Sequence, residues 1–406
     1  MRQIDTVGVG SLPTGLSPGI PGMPVGCRPR LTEHARLQWW HTDGGDPARL
    51  LEDFLAGHGL PVRDLARPAA QRTDAHRPGT VCGAGVFVSA AAGATMVQGA
   101  VGPPSPAPAV PDLAAVVYRH TDPSVPAPPA GAPAGPAGWR LGPWHRSWTD
   151  EAHAAAVEQA RAAIGRGDIY QVNVVGHAAA RYVGEPGPAL ARLARLPGAR
   201  YGGVFTGPGW AIGCASPETL VEVAAGRVTT RPIKGTRPAT ADGRREMLTS
   251  AKERAEHVMI VDLERNDLAR VARTGTVRVD DLYTIRRWSG LWQAESTVSA
   301  LLADGCGLAD LLRAVCPGGS VTGAPKIAAL AQIAALEPVG RGAAMGGLGW
   351  LDADGLDLGL TIRTVAVDAE RVHVWAGGGI TWDSDPMAEV AEAAAKAGPV
   401  RAALAG

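Results

Sequence analysis

The chain has 406 residues, 46% of them apolar and 19% charged, with 39 cationic side chains balanced by 39 anionic ones. That length can bury a large core, and a formal charge of zero excludes a general attraction to nucleic acid or to an anionic membrane. Any charged ligand must be held by local charge.

Five scattered cysteines (Cys27, Cys82, Cys214, Cys306 and Cys316) without CxxC spacing speak against a disulfide framework or a zinc site. No run approaches the ~18 apolar residues of a membrane span, and the N-terminus has no apolar signal core, so the protein is expected in the cytoplasm.

In chain order, residues 1–101 are Gly- and Pro-rich with short apolar runs such as GAGVFVSAAAGATMVQG, and read as short strands and loops packed on the rest. Residues 102–138 are Pro-, Ala- and Gly-rich around one short apolar piece; they read as an extended linker with a domain boundary. Residues 139–406 have a different texture and form the remaining domain. Thr149 is a candidate N-cap for a helix carrying Val157, Ala160 and Ile164, stopped by Gly165 or Gly167. DIYQVNVVGHAAA reads as a strand, and ETLVEVAAGRVTTRPI as a hairpin around Ala225-Gly226. A helix is expected over much of 242–261. Another starts near Ala324 and carries Ile327, Leu330, Ile333 and Leu336. LGLTIRTVAV and RVHVWAGGGI read as strands, and PMAEVAEAAAKAG as a closing helix. Hairpins among long helices predict an α+β fold with antiparallel sheet rather than a doubly wound parallel one.

Only four of the cationic residues are lysine: Lys234, Lys252, Lys326 and Lys396. Lys234 follows the second strand of the hairpin whose first strand starts at Glu218. A three-residue loop puts 218 opposite 234 and a two-residue turn puts it opposite 233, so either register brings a carboxyl and an amine together. Such a pair can act as general acid and nucleophile. A surface salt bridge is the plainer reading, but arginine would serve there and cannot become a neutral nucleophile. Arg231 and Arg237 flank Lys234 and are expected to depress its pKa.

Glu253 and Glu256 lie three apart on one helix, and Glu389 and Glu392 on another with Lys396 one turn on. Two such carboxylate pairs are a donor set for Mg²⁺, although a solvated helix face is the commoner meaning of any single pair. Asp262, Glu264 and Asp267 read as structural. PGGSVTGAPK and WAGGGI offer backbone amides to an anion, the former failing as a nucleotide-binding loop, and Arg363 is a bidentate partner for a carboxylate.

GDIYQVN, ASPETL, RPIKGT, AEHVMIVDLERNDL, PGGSVTGAPK, TIRT and GGGITWDSDPMAEVAE, in this order over about residues 140–400, resemble the chorismate-utilising enzymes, and within them the aminodeoxychorismate synthase component I branch that leads to para-aminobenzoate and folate. The resemblance implies that family's fold, antiparallel sheets packed face to face with helices outside, and a chorismate-binding domain over 139–406. It implies Mg²⁺ held by Glu256 and Glu392 beside the neighbouring acids Glu253 and Glu389. Gly235 and Thr236 would lie at the substrate, with Thr322, Gln171 and Lys396. Arg363 and the amides of Gly377, Gly378 and Gly379 would take the enolpyruvyl carboxylate, and Trp350 stands where relatives often have a tyrosine at the substrate. In this branch Lys234 would attack ring C2 while Glu218 protonates the departing C4 hydroxyl, ammonia then replacing the lysine at C4. Anthranilate-forming members have no lysine in this motif. Gln171 occupies the place of a water-activating lysine in isochorismate-forming relatives, and Gln293 that of a histidine linked to pyruvate elimination. No glutaminase signature is present, so ammonia is expected from a separate glutamine amidotransferase subunit. Anthranilate synthesis and a non-catalytic chorismate-binding subunit are the competing readings.

Overall fold

The computed structural model describes residues 19–23, 31–67, 77–121, 138–288 and 291–406; for Thr236, Lys252 and Trp288 only the backbone is described. Two antiparallel sheets carry the fold. The first runs in the order Leu31–Trp39, Leu113–His120, Val81–Val88, Gly347–Asp352, Gly355–Leu360, Thr219–Ala224, Arg227–Arg231, Leu291–Leu301, Ile233–Pro238, with Arg278–Trp288 along the other edge of Leu291–Leu301. The second runs Gly323–Ala324, Gln171–Val183, Arg371–Ile380, Thr364–Val367, Trp210–Ser216, Tyr201–Gly207, with Arg140–Arg146 also paired to Gln171–Val183.

The two sheets face each other. A single buried cluster takes Val86, Leu348 and Leu358 from the first and Val175, Phe205, Ile212 and Trp375 from the second. Alternation along Gln171–Val183 sends Val172 and Val174 to the opposite face, where helices Asp150–Gly165 and Lys326–Leu336 cover them with Val157, Ala160, Ala329 and Ile333. Helices Gly187–Ala194 and Pro386–Ala405 cover the rest of that face through Leu190, Leu193, Val400 and Leu404. This is the expected α+β architecture, with helices outside. Thr149 caps the first of these helices as expected, accepting from the Ala152 amide, a cap worth about 1 kcal/mol.

Three local readings change. Leu113–His120, inside the segment 102–138 expected as a linker, is a strand hydrogen-bonded on both sides, with Leu113 to Val117 buried. Its eight residues lie among prolines whose composition hides it; residues 122–137 of that segment lie outside the described residues. One sheet therefore takes strands from both sides of the expected boundary. The helix expected over 242–261 is two, Ala241–Thr249 and Ala251–Ala269, because Ser250 is extended and caps the second through the Glu253 amide. LGLTIRTVAV is also two strands, since Arg363 takes a positive φ of 50° between them.

Among the described residues no helix is long and apolar enough to cross a membrane, and Cys214, Cys306 and Cys316 form no disulfide.

Candidate active site

The hairpin ahead of Lys234 closes with the two-residue turn. Ala224 stands opposite Arg227, and Ala225 and Gly226 both take positive φ, 49° and 76°, the pattern that matches strand twist. An irregularity between Thr219 and Glu222 then shifts the ladder by one, so that Thr219 faces Arg231 and Glu218 falls before the first strand. Neither expected register describes the pair. Pro232 interrupts the second strand, and the chain resumes at Ile233–Pro238 against Leu291–Leu301. There the register shifts again between Lys234 and Thr236 around Gly235, whose φ is 70°. A glycine suits such a bulge, and here a Cβ would also stand 3.0 Å from Glu253 Oε2. The side chain of Thr236 lies outside the described residues.

What joins Glu218 to Lys234 is a loop from elsewhere in the chain. The Ser320 hydroxyl donates to Glu218 Oε1 at 2.8 Å, and the Ser320 carbonyl accepts from Lys234 Nζ at 3.4 Å. Glu218 is buried, and burial pushes its carboxyl up to about 7 against the pull of Ser320, Lys234 and Arg363. Burial also lowers the Lys234 pKa, with Lys396 adding repulsion, while Glu218, Glu256 and Glu392 oppose the shift. Desolvation therefore outweighs the mutual attraction of the pair at both ends. The flanking arginines are not the cause expected from the sequence. Arg231 is paired with Glu222 at 2.5 Å, and Arg237 reaches Glu246 at 3.2 Å and Glu253 at 3.0 Å.

The four candidate metal ligands separate into two kinds. Glu253 is bound to Arg237, and Glu389 accepts from the Ser384 hydroxyl at 2.7 Å. Glu256 and Glu392 both act electrostatically on Lys234 from different helices. Glu392 also meets Lys396 at 2.7 Å; against the upward push of burial, that lysine brings its carboxyl net below the ordinary value. Among the described residues no group of three His, Cys, Asp or Glu is arranged around a metal position. Two carboxylates from two helices acting on one amine are nonetheless the hard oxygen donors that Mg²⁺ takes.

The remaining expected residues divide as well. Gly377 to Gly379 pair with Val175, Val174 and Asn173 on one edge, and the strand on the other edge stops pairing at Val374. Gly378 faces the acids: a Cβ there would stand 2.8 Å from Glu389 Oε2 and 4.0 Å from Glu392 Oε1. Gly379 faces Gln171 and Lys234, at 2.2 and 3.3 Å from its virtual Cβ. The Gln171 side chain is buried, with its Oε1 unpartnered. Lys396 Nζ donates to the Gly377 carbonyl at 3.0 Å. The half-buried Arg363 guanidinium makes no hydrogen bond or ion pair with a described residue, and Glu218 is its charged neighbour. These residues converge.

Two do not fit their expected roles. The Thr322 hydroxyl is spent on the carbonyls of Gly318 and Gly319, at 2.8 and 3.4 Å, so it shapes the loop. Trp350 lies in the core between the sheets, its indole donating to Asp352 at 2.9 Å and its ring 5.9 Å from that of Tyr118. The strand Gly347–Asp352 pairs with Val81–Val88, and that contact turns Trp350 toward the N-terminal strands. The helix after PGGSVTGAPK starts only at Lys326, a short bridge of Gly323–Ala324 to Gln171–Val183 lying between.

Ser320 is the residue that sequence reasoning missed; its one signal was its place among the glycines of PGGSVTGAPK. Arg341 is another. It donates to Val321 O at 2.6 Å, to Asn173 O at 2.9 Å and to Glu337, clamping the Ser320 loop against Gln171–Val183.

With this fold and this site, the chain belongs to the chorismate binding enzymes, whose family pattern matches residues 111–402. It is 39% identical over 256 residues, 61% of the chain, to aminodeoxychorismate synthase component 1 of Klebsiella aerogenes, and 41% identical over 257 residues, also 61% of the chain, to anthranilate synthase component 1 of Streptomyces coelicolor. These matches span 57% and 50% of the two relatives' lengths. Among solved structures it is similar to anthranilate synthase component I from Streptococcus pneumoniae, with a TM-score of 0.75 at 24% identity, over 98% of this chain and 95% of that one. That likeness concerns the fold.

Proposed function

We propose that the protein aminates chorismate at C4 with ammonia, giving 4-amino-4-deoxychorismate for para-aminobenzoate and folate synthesis, by way of a covalent bond to Lys234. The supporting observation is the half-buried lysine whose amine is depressed beside a glutamate raised to about 7, the two joined through Ser320. Neutral Lys234 forms a bond to ring C2, the ring π-electrons shift, and the C4 hydroxyl leaves as water on taking the Glu218 proton. Ammonia then bonds to C4 and the C2–N bond to Lys234 breaks, so that chorismate and ammonia yield product and water. Burial moves each residue toward the form its step needs, the amine toward neutral and the carboxyl toward protonated.

Arg363 would bind the enolpyruvyl carboxylate, with the amides of Gly377 to Gly379 at the same end; its charge has no hydrogen-bond partner among the described residues, which suits a ligand anion. Gly235, Thr236, Gln171 and Lys396 would line the ring. Glu256 and Glu392 would hold Mg²⁺, which when bound supplies a positive charge for the ring carboxylate. Ammonia would come from a separate glutamine amidotransferase subunit.

The near-equal likeness to an anthranilate synthase component favours a second reading, in which chorismate is aminated and pyruvate eliminated. It leaves Lys234 without a task. The test is to incubate the protein with chorismate, Mg²⁺ and ammonium, following product mass and pyruvate together. An amino group in place of the hydroxyl without pyruvate supports amination at C4; anthranilate with pyruvate overturns it.

A further inference from the structure

We infer that Ser320 is a positioning residue of this site, acting from two atoms at once: its hydroxyl holds Glu218 Oε1 and its carbonyl holds the Lys234 amine. The inference rests on the proposed roles of Glu218 and Lys234, to which it adds a third residue drawn from a distant loop.

The geometry is built rather than incidental. Ser320 is 7% exposed and sits in the single turn Gly319–Val321. That turn is fixed from three directions. Thr322 ties back to the Gly318 carbonyl, Arg341 holds the Val321 carbonyl, and helix Ala251–Ala269 presses on Gly319 so closely that a Cβ would stand 2.6 Å from Leu263 Cδ2 and 3.2 Å from Glu264 Oε1. The glycine lets the turn lie against that helix, and the turn presents the serine to the site.

A hydroxyl has one proton to donate, and here it is donated to Glu218 Oε1. When Glu218 is protonated, its proton therefore resides on Oε2, the other oxygen of the carboxyl. Ser320 thus selects which oxygen delivers the proton, and by the same hydrogen bond it favours the ionised form. The other charged groups acting on Glu218 are Lys234 and Arg363, which also favour ionisation, and Glu264 from the helix behind the loop, which opposes it.

The test compares Ser320→Ala and Ser320→Cys with the wild-type chain, each shown folded by circular dichroism. The Glu218 carboxyl is titrated by infrared difference spectroscopy and assigned by its loss in Glu218→Gln. The midpoint is expected to rise in Ser320→Ala and to lie between in Ser320→Cys, a weaker donor. In turnover with chorismate and ammonium, kcat of Ser320→Ala is expected to fall about tenfold with KM little changed. A midpoint that does not move in folded Ser320→Ala, or a loss carried by KM alone, overturns the inference. Failure of the amination reading is distinguishable: it shows as anthranilate and pyruvate from the wild type, while the infrared titration still reports on Ser320.

Discussion

Lys326 Nζ meets Asp267 Oδ2 at 2.7 Å, and neither side chain is more than a tenth exposed. The pair lies one helical turn from Glu264, whose carboxyl is raised by burial and by the Asp267 charge and accepts from Thr230 at 3.2 Å. Lysine is scarce in this chain, and the three whose side chains are described all make specific contacts: Lys234 with the Ser320 carbonyl, Lys326 with Asp267, Lys396 with Glu392. Asp267→Ala leaves the Lys326 ammonium buried without its partner, and is expected to cost about 3–5 kcal/mol in urea unfolding. The double change Asp267→Ala with Lys326→Met should recover much of that loss. If it does not, the cost lies in packing rather than in the orphaned charge.

Lys234→Arg separates charge from nucleophilicity. A guanidinium keeps the positive charge but does not deprotonate, so amination should fall at least ~100-fold, as it should in Lys234→Ala. In the wild type, activity should rise with pH as Lys234 loses its proton, earlier than for an ordinary lysine because its pKa is lowered. It should fall above about 7, where Glu218 loses the proton it must give. An arginine variant with wild-type turnover would remove Lys234 from the covalent step.

Much of this site was legible because it is written in local sequence. The turn Ala225-Gly226, the helix cap at Thr149 and the paired glutamates are each decided within a few residues, and the structure has the turn and the cap where local rules put them. The contacts that were not legible join distant segments. Ser320 reaches Glu218 across 102 positions, and a serine among glycines looks locally like any loop residue. The fate of Arg237 depends on Glu246 and Glu253, carried by helices whose break at Ser250 was itself unseen. Trp350 was placed at the substrate by resemblance, whereas its neighbours come from Val81–Val88 and from Leu113–His120, the latter a strand hidden in the segment read as a linker.

Two glycines of the GGG run separate folding from chemistry. A Cβ at Gly377 would stand 2.0 Å from the Val174 backbone carbonyl, which cannot move without breaking the ladder. One at Gly379 would instead meet the end of the Gln171 side chain at 2.2 Å, beside Lys234. Gly377→Ala is therefore expected to lower stability by about 1–3 kcal/mol, as overpacking does. Gly379→Ala should fold nearly as well as the wild type but lose most of its turnover. Equal unfolding midpoints for the two variants would contradict this division.

A chain of hydrogen bonds contributes to how the protein answers acid. Asp368 Oδ1 accepts from the amides of Glu370 and Arg371, and Oδ2 pairs with His373 Nε2 at 3.1 Å. Since the Asp368 carboxyl is held below its ordinary value despite burial, His373 must donate to it, which leaves His373 Nδ1 to accept from His177 Nε2 at 3.1 Å. His177 Nδ1 then accepts from the Ser147 hydroxyl at 2.6 Å. Burial, with His373 and Arg371 adding repulsion, depresses the His177 pKa to about 3. The unfolded chain binds that proton near pH 6.5 and the folded chain does not. Stability from this residue is therefore complete above that pH and is lost as pH falls toward 3, at up to about 1.4 kcal/mol per unit. Urea unfolding from pH 7 to pH 5 should show a slope to which His153 and His257, both lowered to about 4 mainly by burial, also contribute, and His177→Asn should reduce it by the His177 share while lowering stability at pH 7. An unchanged slope in the variant would mean that His177 is protonated in the folded chain, with its Nδ1 donating to the Ser147 hydroxyl rather than accepting from it.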